Sequence, residues 1–572
     1  MKRISILALL FSFALSGCQS LPAPADGGTE PRYSRHLNDL PPAATPRGDA
    51  MFHVLVAEIA ARRGQLSIAA ANYLQAAQIL RDPQLVEQAV QYALVARDEE
   101  RALSAVRLWV ELAPDRIEAR RVLVMLLVRA GEREAAHQQL HALIELGDDD
   151  DHLQTFSEIT GIVASDGDLE LALELFAVLA EHYAELPEAH HAHAHAALRA
   201  RQPEVAAAAI ERALALRPAW PEALLLRAQL LQQAGDGEAA IALLRDALTD
   251  SPDGLTLRLG LARMLVDGGQ YPQALAEYLR VLEQDDGNAD ARMAAALVSL
   301  QLGETGAAEK HLLTLLDSGQ RVPEASYFLG QVAEEAGQPE RALEWYRTVH
   351  QGPYYLDAQV RIAVLLSVDG DLDEARGHLR SVEPASGEEE VRLYIVEAEL
   401  LRRNGHHRDA FNILSEALQS HPDNYELLYA RALVAERVGH TDVTESDLRR
   451  MLELEPDSAL ALNALGYTLA DRNQRLDEAY AMIQRAYEQE PQSAAVLDSM
   501  GWVYYRMGNL QQALHYLQRA IEIDFEAEIA AHLGEVLWML DRRDEAREMW
   551  QRAVETDPDH PVLNETIQRL DR

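Results

Sequence analysis

The sequence predicts an all-α fold: a solenoid of about fifteen antiparallel helix pairs, closed by a C-terminal capping helix. Three observations lead to this prediction. A repeat of about 34 residues runs from about residue 50 to the C-terminus. One position of that repeat, the small column, holds a small residue in every repeat. This residue is alanine in fourteen of the fifteen repeats and threonine in the other. Apolar residues make up 48% of the chain and aromatic residues only 6%, as is typical of helical chains rich in alanine and leucine.

The small column predicts how closely the two helices of each pair approach one another. Helices joined by a short turn cross at about 8–10 Å only where small side chains face each other. Added bulk at such a position costs about 1–3 kcal/mol. The column consists of Ala69, Ala102, Ala136, Ala172, Ala206, Ala240, Ala274, Ala308, Ala342, Ala375, Ala410, Thr444, Ala479, Ala513 and Ala546.

Glycine and proline predict where the helices of each unit end. A glycine in the middle of the unit can take the left-handed conformation that closes the first helix, and a proline near the end of the unit stops the second helix. The glycines include Gly131, Gly269, Gly303, Gly405 and Gly508. The prolines include Pro114, Pro218, Pro422, Pro491 and Pro558.

The N-terminus predicts a signal peptide over residues 1–17. Lys2 and Arg3 precede an apolar run at 4–15, which only Ser5 and Ser12 interrupt. The run is too short to span a bilayer as a helix and has the length of a signal-peptide core.

Cys18, the only cysteine of the chain, follows Leu-Ser-Gly in a pattern that resembles the bacterial lipobox. The resemblance implies cleavage before Cys18 and lipidation of that residue. Gln19, where inner-membrane retention would require Asp, implies sorting to the outer membrane. A secreted protein with a chance cysteine is the alternative. Residues 18–48 contain six prolines between 19 and 46 and are predicted to form a tether.

After the tether, the repeats divide into three blocks and a cap. We expect divergent N-terminal repeats at 49–186, central repeats at 187–390, C-terminal repeats at 391–558 and a capping helix at 559–572. The unit that follows the acidic segment 147–152 lacks a clear first helix. Its aspartates at 148–151 are predicted to form a solvated loop, since a calcium loop needs alternating ligands and a turn glycine.

Composition and motifs argue against several classes of function. A formal net charge of −40 disfavours binding to nucleic acid, which depends on cations against phosphates. Lys310, the only lysine after the signal peptide, follows Glu309 and so forms no phosphate-binding loop. With Cys18 acylated, no thiol remains for catalysis or for a thiolate metal site. We find no HExxH, GxSxG or SxxK motif, and therefore expect no enzymatic activity and no cofactor.

The segment HHAHAH at 190–195 is the one cluster of metal-binding side chains. On a helix, His191 and His195 share one face, while His190 and His193 share another. A closed zinc site needs four ligands and an open one needs three, and the sequence identifies no third partner. A polar helix face that titrates near pH 6.5 is therefore predicted, with metal binding as the alternative.

Two aligned stretches carry a resemblance to a known repeat family. PEALLLRAQLLQQAGDGEAAIALLRDALTDSP (221–252) and YELLYARALVAERVGHTDVTESDLRRMLELEP (425–456) resemble the tetratricopeptide repeat. The resemblance implies a right-handed superhelix whose first helices line a groove that binds proteins. The resemblance also implies which positions of each repeat face the groove. Most of the residues at these positions are aromatic residues or arginines, the side chains common in binding hot spots. They are His191, His195, Arg263, Tyr327, Glu334, Glu335, Arg402, Arg403, Tyr429, Tyr467, Trp502 and Tyr505. Packing of Tyr467 and Trp502 against adjacent helices is the alternative.

Two longer stretches extend the resemblance to almost the whole chain. AAQILRDPQLVEQAVQYALVAR (76–97) and NALGYTLADRNQRLDEAYAMIQRAYEQEPQSAAVLDSMGWVYYRMGNLQQAL (463–514) are similar to the outer-membrane lipoproteins that partner a periplasmic carboxyl-terminal processing protease. The resemblance implies a non-catalytic adaptor on the periplasmic face of the outer membrane. Such an adaptor recruits the protease and delivers substrates such as peptidoglycan hydrolases. Two alternatives stay open: a scaffold for assembly of a pilus secretin or insertion of outer-membrane proteins, and an activator of a cell-wall enzyme.

Overall fold

The computed structural model describes residues 45–146, 152–164, 168–368 and 370–571. Cys18, the signal peptide, most of the predicted tether and the aspartates at 148–151 lie outside the described residues. The described residues form 31 helices and no strand, which confirms the predicted array of fifteen pairs followed by one final helix. None of these helices combines the length and the apolar character needed to cross a bilayer.

The chain divides into two units, residues 1–264 and 265–572. Six helix pairs belong to the first unit, and a thirteenth helix contains the boundary. The helices are α1 (Pro46–Arg62), α2 (Leu66–Leu80), α3 (Pro83–Val95), α4 (Glu99–Leu112), α5 (Ile117–Arg129), α6 (Arg133–Leu146), α7 (His152–Ala164), α8 (Leu169–His182), α9 (Pro187–Arg199), α10 (Pro203–Leu216), α11 (Pro221–Gln233), α12 (Gly237–Asp250) and α13 (Leu255–Asp267).

The second unit continues the same alternation of first and second helices and ends on the single last helix. Its helices are α14 (Tyr271–Gln284), α15 (Ala289–Gln301), α16 (Thr305–Asp317), α17 (Val322–Glu335), α18 (Pro339–Tyr346), α19 (Tyr355–Val368), α20 (Leu372–Ser381), α21 (Gly387–Arg403), α22 (His407–Ser420), α23 (Tyr425–Val438), α24 (Thr441–Leu454), α25 (Ala459–Asp471), α26 (Leu476–Gln489), α27 (Ala494–Arg506), α28 (Leu510–Ile523), α29 (Ala527–Met539), α30 (Arg543–Thr556) and α31 (Pro561–Leu570).

Helix ends follow the predicted glycine and proline pattern. The five predicted glycines all have positive φ, from 67° at Gly131 to 82° at Gly508. Each predicted proline follows the end of a second helix, as Pro114 follows α4. Side-chain caps begin many helices, because the first turn leaves backbone N–H groups without partners. Asp98, for example, accepts a hydrogen bond from the backbone N–H of Arg101 at 3.2 Å.

The fourth pair corrects one expectation. The sequence suggested no clear first helix after the acidic segment, yet α7 is a complete helix of 13 residues. Its side chains Phe156, Ile159 and Val163 are buried in the core of the first unit. The helix is hard to see in the sequence because Gly161 interrupts its apolar residues. The predicted tether also ends earlier than expected, since α1 begins at Pro46.

The residue of the small column is buried in every repeat, as predicted. The fourteen alanines are at most 5% exposed, and Thr444 is 2% exposed. Threonine is tolerated there because its Oγ1 donates to the carbonyl of Ala432 on the facing helix, at 3.2 Å. Burial of a hydroxyl without such a partner would be unfavourable.

A close approach at Gly534 predicts a specific loss of stability. A Cβ on Gly534 would overlap the indole of Trp550, which is only 2% exposed and packed on all sides. We expect Gly534→Ala to lower the free energy of unfolding of the second unit by about 1–3 kcal/mol. Chemical denaturation followed by circular dichroism measures this change. Gly377→Ala is the matched control, because a Cβ on this helical glycine has open space around it. Equal midpoints for the two variants would contradict the prediction.

Candidate functional site

Three of the predicted groove residues gather on neighbouring first helices of the second unit. Tyr467 on α25 and both Trp502 and Tyr505 on α27 surround His532 on α29. The ring centroids of Trp502 and Tyr505 are 5.0 Å apart. His532 stacks on Trp502 at 4.0 Å and lies 6.0 Å from Tyr467. We call these four residues the C-terminal aromatic cluster.

Trp502 is held in place by polar contacts as well as by stacking. Its indole is 4% exposed, and Nε1 donates to the Asp471 carboxylate at 3.1 Å. The Arg506 guanidinium lies 4.7 Å from the ring centroid and donates to the same carboxylate at 3.0 Å. Trp502 therefore packs between helices, while Tyr467 and Tyr505 keep part of their surface exposed.

The cluster contains a buried ion pair. His532 Nδ1 lies 2.9 Å and 3.0 Å from the two Asp498 oxygens, and both residues are almost fully buried. Desolvation by burial, the largest influence, lowers the pKa of His532, but the Asp498 carboxylate opposes it, aided by Glu528 and Asp471. The net effect is a pKa raised above the ordinary value of histidine. His532 is thus positioned as an imidazolium that stacks on Trp502.

The tyrosines of the cluster donate to carboxylates of α29. Tyr467 Oη donates to Glu528 at 2.7 Å, which joins α25 to a helix two pairs further on. Tyr505 Oη donates to Glu535 at 2.7 Å, and Arg569 of α31 donates to the same carboxylate at 3.0 Å. Burial and the hydrogen bond from its hydroxyl to Glu535 raise the pKa of Tyr505 to about 12. Both phenols therefore stay protonated and donate at neutral pH.

Sequence reasoning missed the acidic half of this site. Asp498, Glu528 and Glu535 occupy positions 5, 2 and 9 of their units, counted from the first residue of α27 or α29. These are groove positions by the same resemblance that selected the aromatic residues. In the C-terminal repeats the prediction named only aromatic residues and arginines. Including every side chain type at the groove positions would have found the three carboxylates.

The remaining predicted groove residues lie apart from this cluster. Tyr327 on α17 stacks on Tyr354 at 4.7 Å and is 9% exposed. Tyr429 on α23 is half-buried, and Arg263 on α13 is exposed. Arg402 and Arg403, both exposed on α21, share the Glu399 carboxylate at 2.7 Å each. Glu334 accepts from Tyr346 at 2.6 Å and from Arg361 at 2.9 Å, so it links two helix pairs, whereas Glu335 is exposed.

The histidine segment of α9 behaves differently from the sequence expectation. His191 and His195 share a face, with ring centroids 4.7 Å apart, and His191 also lies 4.7 Å from Trp220. Titration near pH 6.5 was expected, but desolvation, aided by repulsion from His195, lowers the pKa of His191 to about 4. Desolvation also lowers the pKa of His193 and His195. Among the described residues, no group of three or more His, Cys, Asp or Glu side chains is arranged to hold a metal ion.

Family models of the tetratricopeptide repeat match much of the chain. One matches residues 231–286 and a second matches 457–524. A third matches five segments, at 191–254, 259–319, 294–355, 395–442 and 499–561. All three describe the repeat itself.

Similar proteins carry the same repeat. TPR repeat-containing protein PA4667 of Pseudomonas aeruginosa is 34% identical over 538 residues, which cover 93% of this chain and 90% of that protein. Tetratricopeptide repeat protein 7B of Mus musculus is 23% identical over 253 residues, which cover 43% of this chain and 28% of that protein.

Solved structures to which the chain is similar include the APC/C hetero-tetramer Cut9–Hcn1. It is 14% identical, with a TM-score of 0.34 and coverage of 91% of this chain and 96% of that chain. A tetratricopeptide repeat protein of Thermus thermophilus is 21% identical, with a TM-score of 0.29 and coverage of 31% of this chain and 97% of that chain.

Proposed function

The chain belongs to the tetratricopeptide repeat family, whose repeats bind other proteins, and from this premise we propose that it is an outer-membrane-anchored adaptor. In this proposal it recruits a periplasmic carboxyl-terminal processing protease and delivers substrates such as peptidoglycan hydrolases. It carries no catalytic residues of its own. The observation that carries the proposal is the C-terminal aromatic cluster, which lies on successive first helices and keeps Tyr467 and Tyr505 partly exposed.

The cluster supports binding of polypeptide clients. Tyr467 and Tyr505 are partly exposed, and the hydrogen bonds from their hydroxyls to Glu528 and Glu535 fix their orientation. Rigid aromatic side chains contribute strongly to interfaces because little conformational entropy is lost on binding. The net charge of −40 favours basic or extended polypeptides and speeds their capture.

The lipobox resemblance at Cys18 supports the anchoring half of the proposal. A single acyl chain holds a protein only marginally, whereas several chains on one cysteine anchor it firmly. The 27 residues between Cys18 and Pro46 would then link the first helix to the membrane anchor. Anchored in this way, the adaptor would concentrate the protease and its clients at one surface.

Co-purification from detergent extract tests the adaptor role. We expect the protease and cell-wall hydrolases to be retained on beads that carry the full chain. Subunits of a pilus secretin or of an outer-membrane insertion machine in their place would overturn the proposal.

Deletion of residues 391–572 tests how the partners are divided between the repeats. From position alone, we expect the N-terminal repeats to dock the protease near the membrane and the C-terminal repeats to take clients. The shortened protein should therefore no longer bind the clients but should still bind the protease, since the remaining repeats are stabilised mainly by contacts with their immediate neighbours. Tyr467→Ala with Tyr505→Ala in the full chain should lose clients as well, while Tyr516→Ala on the second helix α28 serves as the matched control. Loss of the protease with retention of clients would reverse the arrangement.

A further inference from the structure

The first helix exposes an apolar stripe. Met51, Leu55 and Ile59 are 62%, 60% and 52% exposed. Their spacing of four residues places them one above another along α1. Exposed apolar residues that occur singly are normal on protein surfaces, but three over consecutive turns of one helix form a contiguous patch.

Arginines flank this stripe at both ends. Arg47 lies four residues before Met51, and Arg62 lies three residues after Ile59. At 100° per residue, the five residues from Arg47 to Arg62 span an arc of about 120°. Asp49 lies outside that arc, whereas Glu58 lies within it, between Arg47 and Met51. Asp49 faces His53 at 4.0 Å, and Glu58 accepts from Tyr73 Oη at 2.5 Å.

This end of the chain has a charge unlike the rest. Residues 46–63 carry Arg47, Arg62 and Arg63 against Asp49 and Glu58, whereas the whole chain has a formal net charge of −40. An apolar stripe between cationic ends is the pattern of helices that lie in a membrane interface, where the arginines meet anionic headgroups.

We propose that the Arg47–Met51–Leu55–Ile59–Arg62 face of α1 rests on a phospholipid surface that carries anionic headgroups. The physiological relevance of this contact rests on the proposed anchoring at Cys18. Three apolar side chains give only weak affinity, but a tether converts the contact into an intramolecular one. The 27 residues between Cys18 and Pro46 span at most about 95 Å, so α1 stays within reach of the membrane.

The negative charge of the remaining chain does not prevent this contact. Repulsion between exposed charges is largely screened beyond about 8 Å at physiological ionic strength. Only side chains close to the lipid therefore contribute, and on this face of α1 the charged ones are Arg47 and Arg62 against Glu58, whose carboxylate is hydrogen-bonded to Tyr73. The contact would orient the first helix pair at the surface and leave the later repeats free to bind proteins.

Vesicle co-sedimentation tests the proposal without any acyl chain. Every variant is made in the full chain from residue 18 with Cys18→Ala, and its fold is checked by circular dichroism. We expect binding to vesicles of phosphatidylglycerol and phosphatidylethanolamine, and weaker binding to phosphatidylcholine alone. Leu55→Gln with Ile59→Gln should reduce the partition coefficient about tenfold, because apolar burial drives the contact. Leu433→Gln with Leu460→Gln, at leucines that are 49% and 47% exposed in the second unit, should leave it unchanged.

Other occupants of the face give different results. Absence of vesicle binding, or equal binding by the Leu55/Ile59 and Leu433/Leu460 variants, would overturn the proposal. So would light scattering that shows a dimer which Leu55→Gln with Ile59→Gln dissociates, since a second copy would then cover the stripe. The adaptor role is judged separately, because co-purification of the protease does not depend on vesicle binding and can fail or succeed by itself.

Discussion

Asp498→Ala is expected to lower the free energy of unfolding of the second unit by about 3–5 kcal/mol near pH 6, because it leaves a buried imidazolium without its partner. His532 is 2% exposed, and its Nδ1 lies within 3.0 Å of both Asp498 oxygens. Denaturant unfolding with hydrogen exchange on α27 and α29 measures the loss. Asp457→Ala is the matched control, because this carboxylate is 88% exposed and pairs with Arg485 at the surface. It should change stability by at most about 0.5 kcal/mol.

The cost of Asp498→Ala should also depend on pH. Asp498 raises the pKa of His532 in the folded state, so the pair stabilises the fold below the ordinary pKa of histidine. That contribution is lost as the pH rises through the raised pKa. Asp498→Ala should therefore cost more at pH 6 than at pH 9. A cost that is equal at both values, or a similar loss in Asp457→Ala, would contradict the assignment of a charged pair.

Cys18→Ala is expected to move the protein from the outer-membrane fraction to the soluble periplasmic fraction. Without the thiol no acyl chain can be attached, and the anchoring that several chains would provide is lost. Fractionation followed by a high-salt wash measures the change, since the wash removes weak contacts such as that proposed for α1.

Gln19→Asp is the control for Cys18→Ala. It keeps the cysteine and should keep the protein in a membrane fraction, but the lipobox resemblance implies retention at the inner membrane. Recovery of Cys18→Ala unchanged in the outer-membrane fraction after the wash would refute the lipoprotein assignment.

The repeat could be predicted from the sequence because its determinants are local and recur. A helix pair needs a small residue at the crossing, a glycine after its first helix and a stop after its second, and each requirement falls on a fixed position. Ala240 and Gly235 illustrate this: both lie where the repeat predicts, one buried and the other with a φ of 84°. The fourth first helix was missed because Gly161 interrupts the apolar pattern of α7.

The candidate site was predicted in part. Position in the repeat selected Tyr467, Trp502 and Tyr505, and the structure brings all three around His532. Sequence position does not reveal which of these residues pack and which stay exposed. Trp502 is buried because α29 places His532 over its ring and α25 supplies Asp471.

The sequence by itself determined the helix pair, the number of repeats and the positions of small residues, since each depends on contacts between neighbouring segments of chain. Only the tertiary structure decided that Asp498 meets His532, that Tyr467 reaches Glu528 two pairs away, and that His191 loses its ordinary basicity. The physical reason is that burial and charge pairing depend on distances across stacked helices. Those distances arise from the packing of many residues together, and no local pattern specifies them.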